Sequence, residues 1–567
     1  MSARNVLPPK LSYTSGISSQ PLLYKTVGAA LSDAAQMAPN KEAIVSVHQD
    51  IRMTYADLDA LVSKVASGLI ALGIKPGERV GIWSPNCVEW AVTQYATARA
   101  GIILVNINPA YRPSELEYVL NKVGCAGLIL ADRFKTSNYI EMLREIAPHV
   151  FDAKAEHTKA PHLRHAILLD DTARNHGLMS FAELSNLGTE DTDRVLGDLQ
   201  LQLQPEDPIN IQFTSGTTGL PKGATLTHHN IVNNGYFVGE GIGLTAADRI
   251  CVPVPLYHCF GMVMGNIAAV THASVVVYPE AGFEPVATLK AIENEKCTAV
   301  YGVPTMFIAM LASDAFAECD FSSLRTGIMA GSPCPIDVMR RVLSEMEMPQ
   351  VTICYGMTET SPVSFQSKMD DPIEKRVSTV GVIHPHLEAK IVDENGRVLP
   401  CGEIGELYTR GYSVMHGYWE DEQATQKAID AQGWMRTGDL AVIDIDGYAN
   451  ITGRSKDVVI RGGENIYPRE IEEYLLGHPH IQDVQVFGVP DDKFGEVTCA
   501  WIVLSKGASL SEDEIVLWLK SKISHYKIPA YVRLVSEYPM TVTGKAQKFL
   551  MRDAMIKELN LKDRATA

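Results

Sequence analysis

The sequence is short of three things: clustered cysteine, positive charge and unbroken apolar stretches. Its ten cysteines are scattered through 567 residues from Cys87 to Cys499, and none falls in a C-x-x-C pair. That spacing excludes zinc-ribbon and thioredoxin-like chemistry. The even count is read as reduced, mostly buried thiols rather than a disulfide framework. Lys and Arg total 50 against 67 Asp and Glu, for a net charge of −17. Such a field repels nucleic acid and anionic membrane at long range, so an anionic ligand must be met by a dedicated pocket. No apolar run reaches the roughly 18 residues that a membrane-spanning helix needs. The richest, Met262 to Val277, is interrupted by Asn266, Thr271 and His272.

Acid is missing from residues 1–32, which carry Arg4, Lys10, Lys25 and several serines. The pattern has a faint likeness to an organelle transit peptide. Against it, Leu7-Pro8-Pro9 interrupts any amphipathic helix and there is a single arginine. The expectation is a flexible leader over 1–32 on a cytoplasmic protein, with the mitochondrial matrix as the alternative address. A secretory signal is excluded because no apolar segment follows the basic residues.

What the chain does have is core material, with 46% hydrophobic and 21% charged residues. At about 150 residues per domain it allows three or four packing units. Short apolar runs at Ile102 to Val105, Gly127 to Leu130, Ile167 to Leu169, Val275 to Val277 and Val351 to Ile353 read as buried strands. Helical stretches such as Tyr55 to Leu72 and Pro113 to Val123 separate them. This alternation predicts α/β architecture with largely parallel sheets. Over 385–450 the character changes. Asn395-Gly396 and Asp446-Gly447 mark hairpins, which predicts a small antiparallel sheet or barrel. Beyond Gly453, Pro468 opens a helix, Ser511 and Glu514 have capping-box spacing before a helix over Ile515 to Ile523, and strands surround Val484 and Trp501. That is an α+β lobe of about 110 residues, an ordinary domain size.

The chemistry concentrates in Thr214-Ser215-Gly216-Thr217-Thr218-Gly219-Leu220-Pro221-Lys222-Gly223, which follows the alternating strand Ile209, Ile211, Phe213. Glycines let backbone N–H groups turn toward an anion, hydroxyls donate further bonds and lysine adds charge. The competing reading is a plain Gly/Thr surface loop. Walker A spacing fails, because Pro221 stands where glycine is required and Gly223 replaces the Ser/Thr after lysine.

The stretch resembles the signature loop of the adenylate-forming superfamily, which includes acyl-CoA and aryl-CoA ligases, adenylation domains and luciferases. Four further signatures of that superfamily follow in order. They are Tyr355-Gly356-Met357-Thr358-Glu359, Thr437-Gly438-Asp439-Leu440, the run from Gly453-Arg454-Ser455-Lys456-Asp457 to Arg461-Gly462-Gly463-Glu464-Asn465-Ile466, and Thr543-Gly544-Lys545. His525-Tyr526-Lys527-Ile528-Pro529 is also similar to the family's C-terminal lobe. Asp207 to Gln212 and Leu256-Tyr257-His258-Cys259 are most similar to the medium-chain fatty-acyl-CoA ligases of the acyl-CoA synthetase family member 2 type. The resemblance implies a body of two doubly wound α/β subdomains (33 to about 384) plus a small β-barrel (385–452). A hinge at 453–457 and a smaller mobile α+β domain over 458–567 would follow.

By the same resemblance the protein is an acid–thiol ligase. A carboxylate attacks the α-phosphorus of MgATP to give acyl-AMP and pyrophosphate, and coenzyme A then displaces AMP. Two anions meet in the first step, so charge neutralisation dominates catalysis. Lys545 matches the catalytic lysine, although a lysine after Thr-Gly is ordinarily a solvated turn residue. Glu359 matches the Mg²⁺ ligand, a hard oxygen donor. Thr358 matches an α-phosphate contact, whereas an isolated Thr-Glu pair is usually a helix start. Asp439 matches the ribose ligand and Arg454 a second nucleotide contact. Gly331-Ser332-Pro333 and Tyr355-Gly356 correspond to stretches flanking adenine. Lys456 corresponds to the hinge, and Gly462-Gly463, otherwise a plain turn, to the wall of the coenzyme A tunnel. His258 matches a gate beside the acyl pocket, with a core histidine as the equal alternative. The adjacent His228 and His229 do not face one another, so no metal site is expected there.

Tyr257, Phe260, Met262, Val303, Met306 and Gly331 are the expected acyl-pocket segments. No Lys, Arg or Asp stands among them to pair with a charged α-substituent, which disfavours an amino acid. An aliphatic acid of medium length is expected, with an aryl acid as runner-up. Partners are the carboxylic acid, ATP and coenzyme A, with Mg²⁺ and without nucleic acid; homodimerisation is left open. The rival readings are an enzyme that loads a carrier protein on another chain, a luciferase-like oxygenase, and a nucleotide-binding scaffold. Only 22 residues follow Lys545, too few for a carrier module, and intact Lys545, Glu359 and Asp439 argue against a scaffold.

Overall fold

The computed structural model describes residues 10–155, 158–214, 221–332, 334–461, 464–491, 493–520, 522–523, 525–540 and 546–561. Packing divides these into two compact units. One comprises Thr14–Ala389 and Thr409–Met435; the other holds the described residues within 1–13, 390–408 and 436–567.

The larger unit contains two sheets. In the first, eight strands run in the order Met179–Ser180, His165–Leu168, Gly127–Leu130, Arg79–Trp83, Ile103–Asn106, Pro208–Thr214, Lys222–Thr227, Gly417–Tyr418. It is parallel up to Pro208–Thr214 and antiparallel in its last two pairings. The second has nine strands, parallel in its interior and closed at both edges by antiparallel pairs. Gly127–Leu130 and Val275–Tyr278 are buried at every position, as parallel strands covered on both faces must be.

The connecting helices start where the sequence provides caps. Thr54 accepts from the Asp57 N–H at 3.1 Å while the Asp57 carboxylate accepts from the Thr54 N–H at 3.0 Å, and Tyr55–Ala71 follows. Pro113 opens Pro113–Lys122 at a position where its missing N–H loses nothing. Every residue of Val88–Arg99 except Glu89 is buried, and Val27–Met37 and Tyr55–Ala71 both pack on it. The run from Met262 to Val277 starts in a wholly buried π-helix, Phe260–Ile267, passes through helix Ala268–Thr271 and ends in strand Val275–Tyr278. No helix among the described residues is long and apolar enough to cross a membrane.

The flexible leader expected through residue 32 does not extend that far. Residues 1–9 lie outside the described residues, but Tyr13–Ser15 is a strand and Thr26 caps Val27–Met37. Between them the Leu23 backbone both donates to and accepts from the Asn233 side chain, at 2.7 and 2.9 Å. All ten cysteines are free and seven are buried, as the scattered spacing predicted.

Of the smaller unit, one part is the antiparallel pair formed by Met435–Ile443, from Arg436 onward, and Ala449–Arg454. Both predicted hairpins are present, joined by Val392↔Val398 and by the antiparallel pairing of Met435–Ile443 with Ala449–Arg454. The other part is the α+β lobe. In its central strands Val484, Val486, Ala500 and Ile502 join one apolar cluster, with Ile471, Leu475, Ile515 and Leu519 from two helices. The alternate residues Phe487, Val489, Val497, Cys499 and Trp501 join another, with Met551 and Met555. Period-two alternation thus covers both faces of the sheet with helices. The helix expected at Ile515 begins at Glu512 and ends at Lys520. The Glu514 N–H donates to Ser511 Oγ at 3.3 Å, so helical structure starts directly after Ser511 and its three acids occupy the positive helix end.

Helix His228–Gly241 is held by amide side chains rather than by apolar contact alone. Asn230 donates to the Val414 carbonyl at 3.1 Å, and Asn234, fully buried, donates to the Val363 carbonyl at 2.8 Å and accepts from the Val363 N–H at 3.0 Å. Asn234→Ala leaves two buried backbone groups unpaired and should destabilise the unit by about 2–4 kcal/mol, read by denaturant unfolding. A change below about 0.5 kcal/mol would contradict this account, since that is the range of ordinary surface substitutions.

Candidate active site

The phosphate-loop sequence lies between two antiparallel strands. Pro208–Thr214 leads into it and Lys222–Thr227 returns, with Thr214 opposite Lys222 and Thr214 Oγ1 donating to the Lys222 carbonyl at 3.4 Å. A Walker A loop would pass from strand to helix; here a strand follows, in keeping with the failed spacing. Residues Ser215, Gly216, Thr217 and Thr218 lie outside the described residues. The return is anchored by the Tyr118 hydroxyl, which donates to the Pro221 carbonyl at 3.0 Å. The Lys222 ammonium stands 4.9 Å from the centre of the Tyr418 ring.

Strand Gln350–Gly356 carries the second signature to the edge of the same unit. Tyr355 is half-buried, its ring edge-on to Phe365 at 6.2 Å. Gly356 tolerates no side chain, since a Cβ there would stand 1.7 Å from the Pro362 carbonyl oxygen. The chain then makes one turn, Thr358–Thr360, closed by the Met357 N–H donating to the Pro362 carbonyl at 2.9 Å and by Thr360 Oγ1 donating to the same oxygen at 2.7 Å. That turn buries Glu359 to 6% exposure. Its carboxylate accepts from the Tyr418 hydroxyl at 2.9 Å, and its carbonyl accepts from the Met415 N–H, also at 2.9 Å. Burial, then the Glu359 charge and the hydrogen bond to it, raise the Tyr418 phenol above its usual range, so it stays a donor.

Gly331, at φ +93°, and Ser332 are exposed at the end of Thr326–Ala330, while Pro333 lies outside the described residues. A Cβ at Gly331 would meet Val303 Cγ1 at 3.1 Å, which places these two expected pocket positions side by side. Val303, Met306 and Tyr257 are half-buried. Phe260 is buried and stacks on Tyr301 at 5.8 Å. Burial raises the pKa of the Tyr257 hydroxyl, which has no hydrogen-bond partner among the described residues. His258 is half-buried, and its Nδ1 accepts from the Phe260 N–H at 3.2 Å. Met262 is completely buried, its sulfur accepting from Asn106 Nδ2 at 3.2 Å and Gln212 Nε2 at 3.5 Å. His228 is a core histidine: its Nδ1 accepts from the Val27 N–H at 3.1 Å, and burial lowers its pKa to about 3.

In the smaller unit Asp439 and Arg454 face one another across adjacent strands. Arg454 Nε lies 3.2 Å from Asp439 Oδ1, with the carboxylate side chain 10% and the guanidinium side chain 44% exposed. Thr437 Oγ1 accepts from the Asp439 N–H at 3.1 Å and donates to the Leu407 carbonyl at 2.8 Å, fixing the carboxylate's backbone. Lys456 is exposed in the short turn Ser455–Asp457, behind Ser455 Oγ donating to the Gly438 carbonyl at 3.1 Å. Gly462, Gly463 and Lys545 lie outside the described residues. Nothing local marks Tyr418 as the partner of Glu359, because 59 positions separate them. Nor does any local pattern reveal the buried amides around Met262.

Residues 31–419 match the model of the AMP-binding enzyme family, and residues 470–545 that of the AMP-binding enzyme C-terminal domain. The Danio rerio protein named medium-chain acyl-CoA ligase ACSF2, mitochondrial, is 47% identical over 555 residues, 97% of this chain and 91% of the relative. The putative acyl-CoA synthetase YngI of Bacillus subtilis is 46% identical over 548 residues, 95% of this chain and 99% of the relative. Among solved structures, ATP-bound MatB from Rhodopseudomonas palustris superposes with a TM-score of 0.82 at 28% identity, covering 95% of this chain and 100% of that one. The anthranilate CoA ligase AuaEII, in complex with anthranoyl-AMP, superposes with a TM-score of 0.82 at 27% identity, covering 94% and 98%. Matched in order by both family models and along nearly its whole length by such relatives, the chain belongs to the AMP-binding enzyme family.

Proposed function

We propose that this protein is an ATP-dependent acyl-CoA ligase. It joins a carboxylic acid, most favourably a medium-chain fatty acid, to AMP with release of pyrophosphate and then transfers the acyl group to coenzyme A. The observation that carries the reading is the buried Glu359 carboxylate, linked through one tyrosine to Lys222 of the phosphate hairpin. The full-length relatives named acyl-CoA ligases supply the acceptor.

Attack of a carboxylate on a polyphosphate is slow because both partners are negative, so the protein's task is to neutralise and align them. Lys222 and the hydroxyls and N–H groups of Thr214, Ser215, Gly216, Thr217 and Thr218 hold the phosphates, and Thr358 holds the α-phosphate. Gly331, Ser332, Pro333, Tyr355 and Gly356 flank the adenine. Asp439 accepts from the ribose hydroxyls with Arg454 beside it. Lys545 bridges the attacking carboxylate and the α-phosphate. Glu359 fits Mg²⁺: it is a buried hard-oxygen donor, and among the described residues no group of three or more His, Cys, Asp and Glu could hold a metal by itself, which leaves positions for water and substrate phosphates. When bound, Mg²⁺ supplies neutralising charge to those phosphates.

His258 gates the acyl pocket formed by Tyr257, Phe260, Met262, Val303 and Met306. Gly462 and Gly463 line the coenzyme A path. The functional boundary falls at 453–457, with Lys456 as hinge between the 33–452 body and the 458–567 domain. An aryl acid is the second reading, favoured by the likeness to the anthranilate ligase. The vertebrate relatives' names support the matrix alternative to a cytoplasmic address.

Pyrophosphate release measured across fatty and aryl acids, with and without coenzyme A, should peak with medium-chain acids and yield acyl-CoA. Turnover that requires an added carrier protein would sink the ligase reading. Lys545→Ala should lose about 10²-fold or more in acyl-AMP formation. It should still convert supplied acyl-AMP to acyl-CoA; equal failure of both steps contradicts the separate role given to Lys545. Asp439→Ala should raise the KM for ATP about 10-fold, because hydrogen bonds to a charged group contribute about 1.5–3 kcal/mol each. An unchanged KM for ATP removes Asp439 from the ribose site.

A further inference from the structure

Tyr418 holds two oppositely charged groups at once. Its hydroxyl donates to Glu359 Oε1 at 2.9 Å, and the Lys222 ammonium lies over its ring, 4.9 Å from the centroid. Both distances fall within the ranges in which such contacts are attractive: a charge-assisted O–H···O⁻ bond on one side and a cation–π contact on the other.

The residue can do this because its backbone is clamped. Strand Gly417–Tyr418 pairs antiparallel with Lys222–Thr227, placing Tyr418 opposite Ala224. On either side the His416 N–H donates to the Thr225 carbonyl and the Trp419 N–H to the Gly223 carbonyl, at 2.9 and 2.8 Å. The Tyr418 N–H donates to Thr425 Oγ1 at 2.9 Å, and the neighbouring Trp419 ring carries the Arg79 guanidinium at 5.2 Å. A ring fixed this way offers one orientation of its hydroxyl and one ring face. That rigidity is what positioning a metal-binding carboxylate requires.

We propose that Tyr418 is a positioning residue for the nucleotide phosphates, its hydroxyl aiming the Glu359 carboxylate and its ring holding the Lys222 ammonium near its working place. The proposal rests on the reading of Glu359 as the Mg²⁺ ligand and of Lys222 as a phosphate contact. Its two halves are separable by chemistry. Phenylalanine keeps the ring and removes the hydroxyl; leucine removes both.

The experiment is calorimetric titration of the full chain with ATP, with and without Mg²⁺, accompanied by melting curves. Tyr418→Phe should bind metal-free ATP as the unsubstituted protein does and lose about 10-fold of the tightening that Mg²⁺ confers. Tyr418→Leu should lose that and also bind metal-free ATP about 3-fold more weakly. If Tyr418→Leu does not fold, the phenylalanine variant alone decides. Full Mg²⁺-dependent tightening in Tyr418→Phe overturns the proposal, and so does an equal loss with and without the metal, which a purely structural role would give. Glu359→Gln separates the two readings. If it keeps the whole Mg²⁺ effect, the Glu359 assignment fails and the proposal with it. If it loses the effect while Tyr418→Phe does not, only the Tyr418 proposal fails.

Discussion

A carboxylate removed from water must be given hydrogen bonds or be neutralised, and the buried Glu359 is held to that constraint. Much of the local structure serves it. Strand Gln350–Gly356 ends at a glycine because the Pro362 carbonyl leaves no room for a Cβ. Thr360 spends its hydroxyl on that same carbonyl, so the single turn carrying Glu359 closes on itself. The Met415 N–H takes the Glu359 carbonyl, and Tyr418 takes its side chain. Those two contacts hold both the carbonyl and the side chain of Glu359 in place.

The net charge of −17 acquires a different meaning beside this site. ATP, coenzyme A and a fatty acid are all anions, so long-range attraction contributes nothing to their capture. By the proposed reading, affinity comes from short-range donors rather than from the overall field. Arg454, nearly half exposed on a pairing strand, keeps donor capacity beyond the single oxygen it approaches. An acidic surface with local donors also discriminates against polyanions that lack the shape of a nucleotide.

How much of this could be read from sequence follows the range of the interactions involved. Local signals transferred well. Gly127–Leu130 and Val275–Tyr278 are buried strands because their runs are apolar throughout, and Tyr55–Ala71 starts at the Thr54–Asp57 box. The five signatures were legible as a family resemblance, and the family models match residues 31–419 and 470–545, which take in the first, second and fifth of them. Long-range pairings were not legible. Nothing near Tyr418 announces Glu359, and nothing near Leu23 announces Asn233, whose side chain orders a segment taken for a flexible leader. The start of Glu512–Lys520 differs for another reason: the Ser511–Glu514 spacing predicts a helix from Ile515, whereas helical structure begins directly after Ser511.

The buried amides beneath the hairpin show why polar residues occupy positions where apolar ones would pack. Gln212 donates to Asn210 Oδ1 at 2.9 Å, Asn210 donates to Asn106 Oδ1 at 2.9 Å, and Asn106 donates to the Tyr257 carbonyl at 3.0 Å. Cys259 Sγ donates to Gln212 Oε1 at 3.2 Å, closing the path back to the strand that leads into the phosphate loop. Aliphatic side chains of the same volume would fill this space without regard to register. A satisfied chain of hydrogen bonds tolerates one alignment, because a slip leaves buried amides unpaired at about 1–3 kcal/mol each. The network therefore fixes the strand that presents the phosphate loop against the segment that presents Tyr257 and His258. Three amides and a thiol keep that alignment.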